Sequence, residues 1–174
     1  IKIIMCCRLL KDKGINEYVQ LAKFLNDDKY KFYLAGDVDL GNPASFSKDE
    51  IMSMTKEADI EYLGWIDTGS DLKDYDISIC MSYHEGLPRI VLESMYIGLH
   101  TISNKLPGLI PIFDNDDNGK LISGNNQAHY VDAIKEFSKI TDLEIKVLNS
   151  RNKISNNFST EKISKDLIMV YEKL

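Results

Sequence analysis

Short apolar runs alternate along this chain with amphipathic stretches of helical period, and this alternation constrains the fold more than any other feature. The runs Ile3-Ile4-Met5-Cys6-Cys7 and Ile77-Ser78-Ile79-Cys80-Met81 lack the regular in-out pattern of a half-solvated strand. Continuous apolar strands are those covered on both faces, the situation of a parallel sheet under two layers of helix. Strands are expected at Ile1–Cys7, Tyr30–Ala35, Ile60–Trp65, Ile77–Ser82, His100–Ser103 and Lys120–Ile122. Helices are expected near Ile15–Leu25, Ser47–Lys56, Pro88–Ile97, Ala128–Lys139, Leu143–Asn156 and Thr160–Glu172. Strands and helices in turn imply crossover units, hence a doubly wound, Rossmann-like α/β sheet with helices on both faces. After Ile122 the pattern is helical only, so the C-terminal helices are expected to pack around the sheet. No linker or internal repeat divides the 174 residues, which suit a single domain.

Composition narrows the function classes. With 27 acidic against 21 basic side chains, the formal charge is −6, which excludes a generally basic nucleic-acid or membrane-surface binder. An anionic ligand must therefore be met by local positive charge. The three cysteines, Cys6, Cys7 and Cys80, lie inside apolar runs. Adjacent Cys6 and Cys7 point to opposite faces of a strand, so they are expected as buried, reduced thiols, which fits a cytoplasmic protein. No apolar run is long enough to cross a bilayer, and no signal peptide is recognisable. The chain opens without Met, directly in a strand, and is expected to be a fragment of something longer.

In doubly wound sheets, ligands bind beyond the carboxyl ends of the strands. Several familiar motifs fail there. The dinucleotide fingerprint needs glycines two and then three apart, and none of the ten glycines has a partner two positions away. Gly119-Lys120 continues with Leu121, so no phosphate loop of the Gly-Lys-Ser/Thr type exists. Asp114, Asp116, Asn118 and Gly119 match half of a calcium loop, but Asn125 stands where the closing glutamate is required, and a solvated turn is the better reading. Asp37-Val38-Asp39, flanked by Gly36 and Gly41-Asn42-Pro43, reads as loop chemistry in preference to a metal site.

Two segments remain. Arg8-Leu9-Leu10-Lys11-Asp12-Lys13-Gly14 follows the first strand and holds one of only three arginines. Arg offers a planar fork and Lys a compact charge for phosphate oxygens, while Gly14 allows close backbone approach. An exposed basic loop with no ligand is an equal reading of the same spacing. His84-Glu85-Gly86-Leu87-Pro88-Arg89-Ile90-Val91-Leu92-Glu93 follows the fourth strand, with Pro88 suited to a first helical turn. A helix start attracts anions, and Arg89 adds to it. Glu85 and Glu93 oppose pure phosphate binding but accept from sugar hydroxyls, so together they imply a ligand carrying phosphates and sugars. Glu85 as a cap and Glu93 as a solvated side chain is the blander account.

The segments RLLKDKGI, GDVDLGNPAS, IEYLGW and SYHEGLPRIVLESMYIG resemble the C-terminal half of family 4 glycosyltransferases with the GT-B fold. The resembled subgroup makes bacterial capsular, O-antigen or exopolysaccharide chains. The likeness runs nearly end to end, and its most specific element is Glu85 and Glu93 with seven residues between them.

The resemblance implies a donor site for a nucleotide-diphosphate sugar, linked to UDP or GDP. By analogy Arg8 and Lys13, with Gly14, hold the diphosphate and neutralise the charge that builds there. Gly86, Leu87 and Arg89 contact the phosphates through loop amides, Glu85 touches the donor sugar and Glu93 accepts from the ribose. Gly64 and Trp65 would lie near the base, although Trp65 is equally read as a core or hinge residue, and that is preferred. Transfer with retention and without a metal or other cofactor is implied, to a glycan or lipid-linked acceptor held by an N-terminal domain that is missing here. Any association with the inner face of a membrane would run through that half. The family's glutamate is absent from the loop at Gly108, where Gly108-Leu109-Ile110 runs into Pro111, and His100 stands where proline is usual. His84, His100 and His129 are given no catalytic role. The competing reading is a non-catalytic Rossmann-like module for a phosphorylated metabolite. A phosphorylase-like relative is disfavoured because no lysine recognisably suits a pyridoxal cofactor.

Overall fold

A computed structural model describes residues 1–113 and 119–173. The half calcium loop at Asp114, Asp116 and Asn118 lies outside the described residues. Six strands form one parallel sheet: β1 (Lys2–Cys6), β2 (Lys31–Ala35), β3 (Ile60–Gly64), β4 (Ile77–Cys80), β5 (His100–Asn104) and β6 (Gly119–Ile122). Their spatial order is β3-β2-β1-β4-β5-β6. The chain winds outward from β1 on one side and from β4 on the other, so the switch point falls between these two, where Ile3 pairs with Ile77. The doubly wound α/β expectation holds.

Around the sheet lie α1 (Ile15–Phe24), α2 (Lys48–Glu57), α3 (Thr68–Asp71), α4 (Arg89–Ile97), α5 (Gln127–Phe137), α6 (Leu143–Phe158) and α7 (Thr160–Tyr171). Sequence patterning misses α3, because four residues containing Gly69 carry no helical period. In α1 the buried residues Ile15, Tyr18, Val19, Leu21 and Ala22 follow the three-and-four spacing of one helix face. Ser47 and Glu50 close a reciprocal capping box that starts α2, a device contributing roughly 1 kcal/mol.

Alternation along β1 divides the core. Ile3 and Met5, with Cys7 beyond the strand end, join the large cluster containing α1 and α5, whereas Ile4 and Cys6 join Leu72 and Leu99 on the other face. Cys6 and Cys7 thus do point apart. Cys80 is buried and reduced as expected, but Cys6 and Cys7 are only half-buried, because the strand end opens onto a cleft. A third cluster joins α4 to α6 through Val91, Met95 and Ile154. The C-terminal helices pack around the sheet at unequal depth. α6 packs on α4, whereas α7 leans on α6 and buries none of its residues. Its apolar side chains, among them Leu167, Ile168 and Val170, stay exposed.

Candidate functional site

A cleft of about 1000 Å³ opens at the carboxyl ends of β1, β2, β3 and β4, over the switch point. Arg8, Lys13, Glu85, Leu87, Arg89 and Glu93 all line it, so two loops remote in sequence meet in one crevice. Trp65, Thr68 and Asp39 contribute from the loops after β3 and β2.

Every cation in this lining has a carboxylate partner. Arg8 Nη1 donates to Asp39 Oδ2 at 3.1 Å, and Asn42 Nδ2 also donates to that oxygen. Lys13 Nζ donates to Glu85 Oε1 at 2.8 Å, across 72 residues of sequence, and Ser82 Oγ donates to the same oxygen at 3.0 Å. Arg89 Nη2 donates to Glu93 Oε1 at 3.0 Å, one helical turn away. The Glu93 Oε2 atom accepts from Thr68 Oγ1 at 2.8 Å. The pairs differ in solvent: the Lys13 side chain is 11% exposed, that of Arg89 is 89%. A charged group bonded in a sheltered site interacts more strongly than one in bulk water.

The scaffold beneath explains why these loops stop where they do. Gly14 has φ +79°, and a Cβ there would fall 2.3 Å from the Met81 carbonyl oxygen. Only glycine lets the β1 loop settle against the end of β4, which sets Lys13 beside Glu85. Buried Asn104, at the end of β5, donates from Nδ2 to the carbonyls of Met81 and Ser82, and accepts at Oδ1 from the Tyr130 hydroxyl. Burial pushes the Tyr130 phenol up, so it stays protonated and donates. The loop carrying Glu85 is thus tied to β5 and α5. A Cβ on Gly108 would lie 1.4 Å from the Gly86 carbonyl oxygen, so the loops after β4 and β5 touch backbone to backbone.

At the head of α4, Pro88 is the residue before the helix, one position earlier than expected, with φ −70° and ψ 117°. Proline fixes φ but its extended ψ keeps it outside the first turn. Among the described residues no side chain caps this end, and no acid lies in its first turn. Such a start presents amides and a partial positive charge. Gly14, Gly64 and Gly86 lie beside the cleft and not in its lining. Gly86 instead borders a neighbouring recess with Tyr83, His84, Glu85, Leu106 and Pro107, so Glu85 stands between two spaces.

Trp65 is not a core residue: it is 75% exposed, at the rim of the cleft, where β3 ends at Gly64 with φ +70° and the chain turns outward. Sequence reasoning missed the part that Thr68 and Asp39 play in the cleft. Asp39 lay in a segment read as loop chemistry, and Thr68 gave no signal. Cys6 and Cys7 lie in the lining as neutral thiols. Desolvation, helped by the Glu93 charge, pushes Cys6 up to about 11, and burial drives Cys7 higher. His100 is a packed residue against the Phe137 ring, while His84 and His129 are exposed. Among the described residues no three His, Cys, Asp or Glu side chains are placed to share a metal. No helix among them is long and apolar enough to cross a membrane.

Residues 1–159 match the family described as Glycosyl transferases group 1. The chain belongs to this family. Two bacterial relatives are similar to it. One is the UDP-Gal:alpha-D-GlcNAc-diphosphoundecaprenol alpha-1,3-galactosyltransferase of Escherichia coli, 28% identical over 91% of this chain and 42% of its own length. Another is the N,N'-diacetylbacillosaminyl-diphospho-undecaprenol alpha-1,3-N-acetylgalactosaminyltransferase of Campylobacter jejuni, 31% identical over 67% of this chain and 30% of its own length. Among solved structures, Anabaena HepE in complex with UDP-glucose superposes with a TM-score of 0.85 at 17% identity, over 99% of this chain and 49% of that one. That likeness concerns the fold. The chain spans less than half the length of these relatives.

Proposed function

We propose that the cleft binds the donor of a glycosyltransferase, a nucleotide-diphosphate sugar carried on UDP or GDP. One observation carries the reading: Arg8, Lys13 and Arg89 line a single cleft with Glu85 and Glu93, beside the uncapped start of α4. Phosphates need the cations and the helix amides, while sugar and ribose hydroxyls need acceptors. In this reading Lys13 and Arg8 exchange their carboxylate partners for diphosphate oxygens. Fixed cations there stabilise the negative charge that develops on the leaving diphosphate as the glycosidic bond breaks. Glu85, freed from Lys13, accepts from the donor sugar, and Glu93 accepts from the ribose. Leu87 and Arg89 offer main-chain amides to the phosphates, with Gly86 shaping the loop and Trp65 at the rim available to the base. Gly14 and Gly64 serve as backbone pivots.

The names of the relatives support an acceptor built on a lipid-linked diphosphate glycan, and a cytoplasmic location, at the inner face of a membrane, is part of this proposal. Retention of configuration and independence of metal and other cofactors belong to this proposal. The acceptor would be held by a domain beyond these residues, so this domain binds nucleotide while transferring little sugar. A bimolecular transfer requires both reactants to be positioned, and one half cannot do that.

Calorimetry with UDP and GDP tests the reading. The domain is expected to bind one of them, and Arg8→Ala, an exposed position, to weaken binding about tenfold through loss of a charged hydrogen-bonding group. Binding of neither nucleotide would overturn the donor site in favour of the non-catalytic module.

A further inference from the structure

We infer that Thr68 is a positioning residue, which fixes the Glu93 carboxylate so that it presents one free acceptor on each oxygen to a vicinal diol. The inference rests on the donor-site reading, since the diol is the nucleotide's ribose.

The geometry around Glu93 carries it. A carboxylate offers about four lone-pair sites, two per oxygen. One on Oε1 is taken by Arg89 Nη2 at 3.0 Å, and one on Oε2 by Thr68 Oγ1 at 2.8 Å. One site on each oxygen is left, and Glu93 lines the cleft. Two acceptors on one rigid plane match two adjacent hydroxyl donors, provided the carboxylate does not rotate.

Arg89 cannot impose that by itself. Its side chain is 89% exposed and it sits on the same helix as Glu93, so this pair, one turn apart and open to water, holds the carboxylate only weakly. Thr68 comes from a different element, has a single stiff rotor and is half-buried. Its own segment is braced: Asp67 Oδ1 accepts from the Gly69 amide, and the Asp67 amide donates to Asp71 Oδ2. α3 also packs on α4. Thr68 thus ties the loop after β3 to the helix bearing Glu93, and holds the carboxylate from the side that Arg89 leaves open.

Thr68→Val keeps the shape and removes the hydroxyl, whereas Thr68→Ser keeps the hydroxyl. The probes are UDP and GDP with their 2′,3′-dideoxy analogues, measured by calorimetry on the same domain. Thr68→Val is expected to weaken the ribose-bearing nucleotide about five- to tenfold, the cost of a misaligned charged hydrogen bond, and to leave the dideoxy analogue unchanged. Thr68→Ser should restore affinity to within about twofold of the parent, a few tenths of a kcal/mol. Equal loss for both nucleotides, or no loss for either, would overturn the positioning role while leaving the donor site standing. Failure of the parent to bind either UDP or GDP would overturn both.

Discussion

Lys13–Glu85 and Arg89–Glu93 set a cation against a glutamate at 2.8 and 3.0 Å in the same cleft, yet they occupy different solvents. The first joins two strand ends, with side chains 11% and 20% exposed, and shares Ser82. The second spans one turn of a helix, with its arginine almost wholly in water. Distance alone would rank them equal. Desolvation separates them: a sheltered pair is worth its hydrogen bonds only while both members are present, and an exposed pair contributes little either way. The sheltered pair is a structural commitment between β1 and β4. In the exposed one only the arginine is free to move, since Thr68 holds Glu93 from the other side.

The largest test of this contrast removes Lys13. Lys13→Met leaves Glu85 sheltered without its cation and is expected to lower stability by about 2–4 kcal/mol in urea denaturation. The double variant Lys13→Met/Glu85→Leu should recover most of that loss, since an apolar pair of similar volume tolerates the site. A single variant as stable as the parent would break the distinction. A middle effect is expected at the tie beneath Glu85. Tyr130→Phe leaves Asn104 Oδ1 buried without its donor and should cost about 1–3 kcal/mol, read by the same denaturation. The smallest belongs to the exposed pair: Arg89→Ala should move stability by less than about 0.5 kcal/mol, and a larger loss would show that exposure misjudges it.

Much of the fold was legible because the strands announce themselves. β1 and β4 are apolar throughout their described length apart from Lys2 and Ser78, and both strand ends were expected to within two residues. Helices with a buried face, such as α1, were equally readable. α3 was not, since four residues are too few for a period to show. The site divides in the same way. Its strand-end loops followed from the fold, and Arg89 and Glu93 are a local pair at helical spacing. That Lys13 meets Glu85 depends on strand order and on Gly14 pressing against Met81, which no local pattern encodes. Trp65 failed for a related reason. An aromatic residue after a strand looks the same in sequence whether the chain turns inward or outward. α7 shows the limit again, because its periodic apolar face is visible while the surface it leans on is not.

The pairing of every lining cation has a consequence for discrimination. A bare anion that captures Lys13 orphans a sheltered acid, and a neutral polyol meets Glu85 and Glu93 still engaged by Lys13 and Arg89, so that it gains acceptors only partly open. Both therefore begin with a debt, whereas a molecule offering oxyanions and hydroxyls together re-partners each side at once. The cleft thereby filters its visitors by stoichiometry of charge and donor, before shape is consulted.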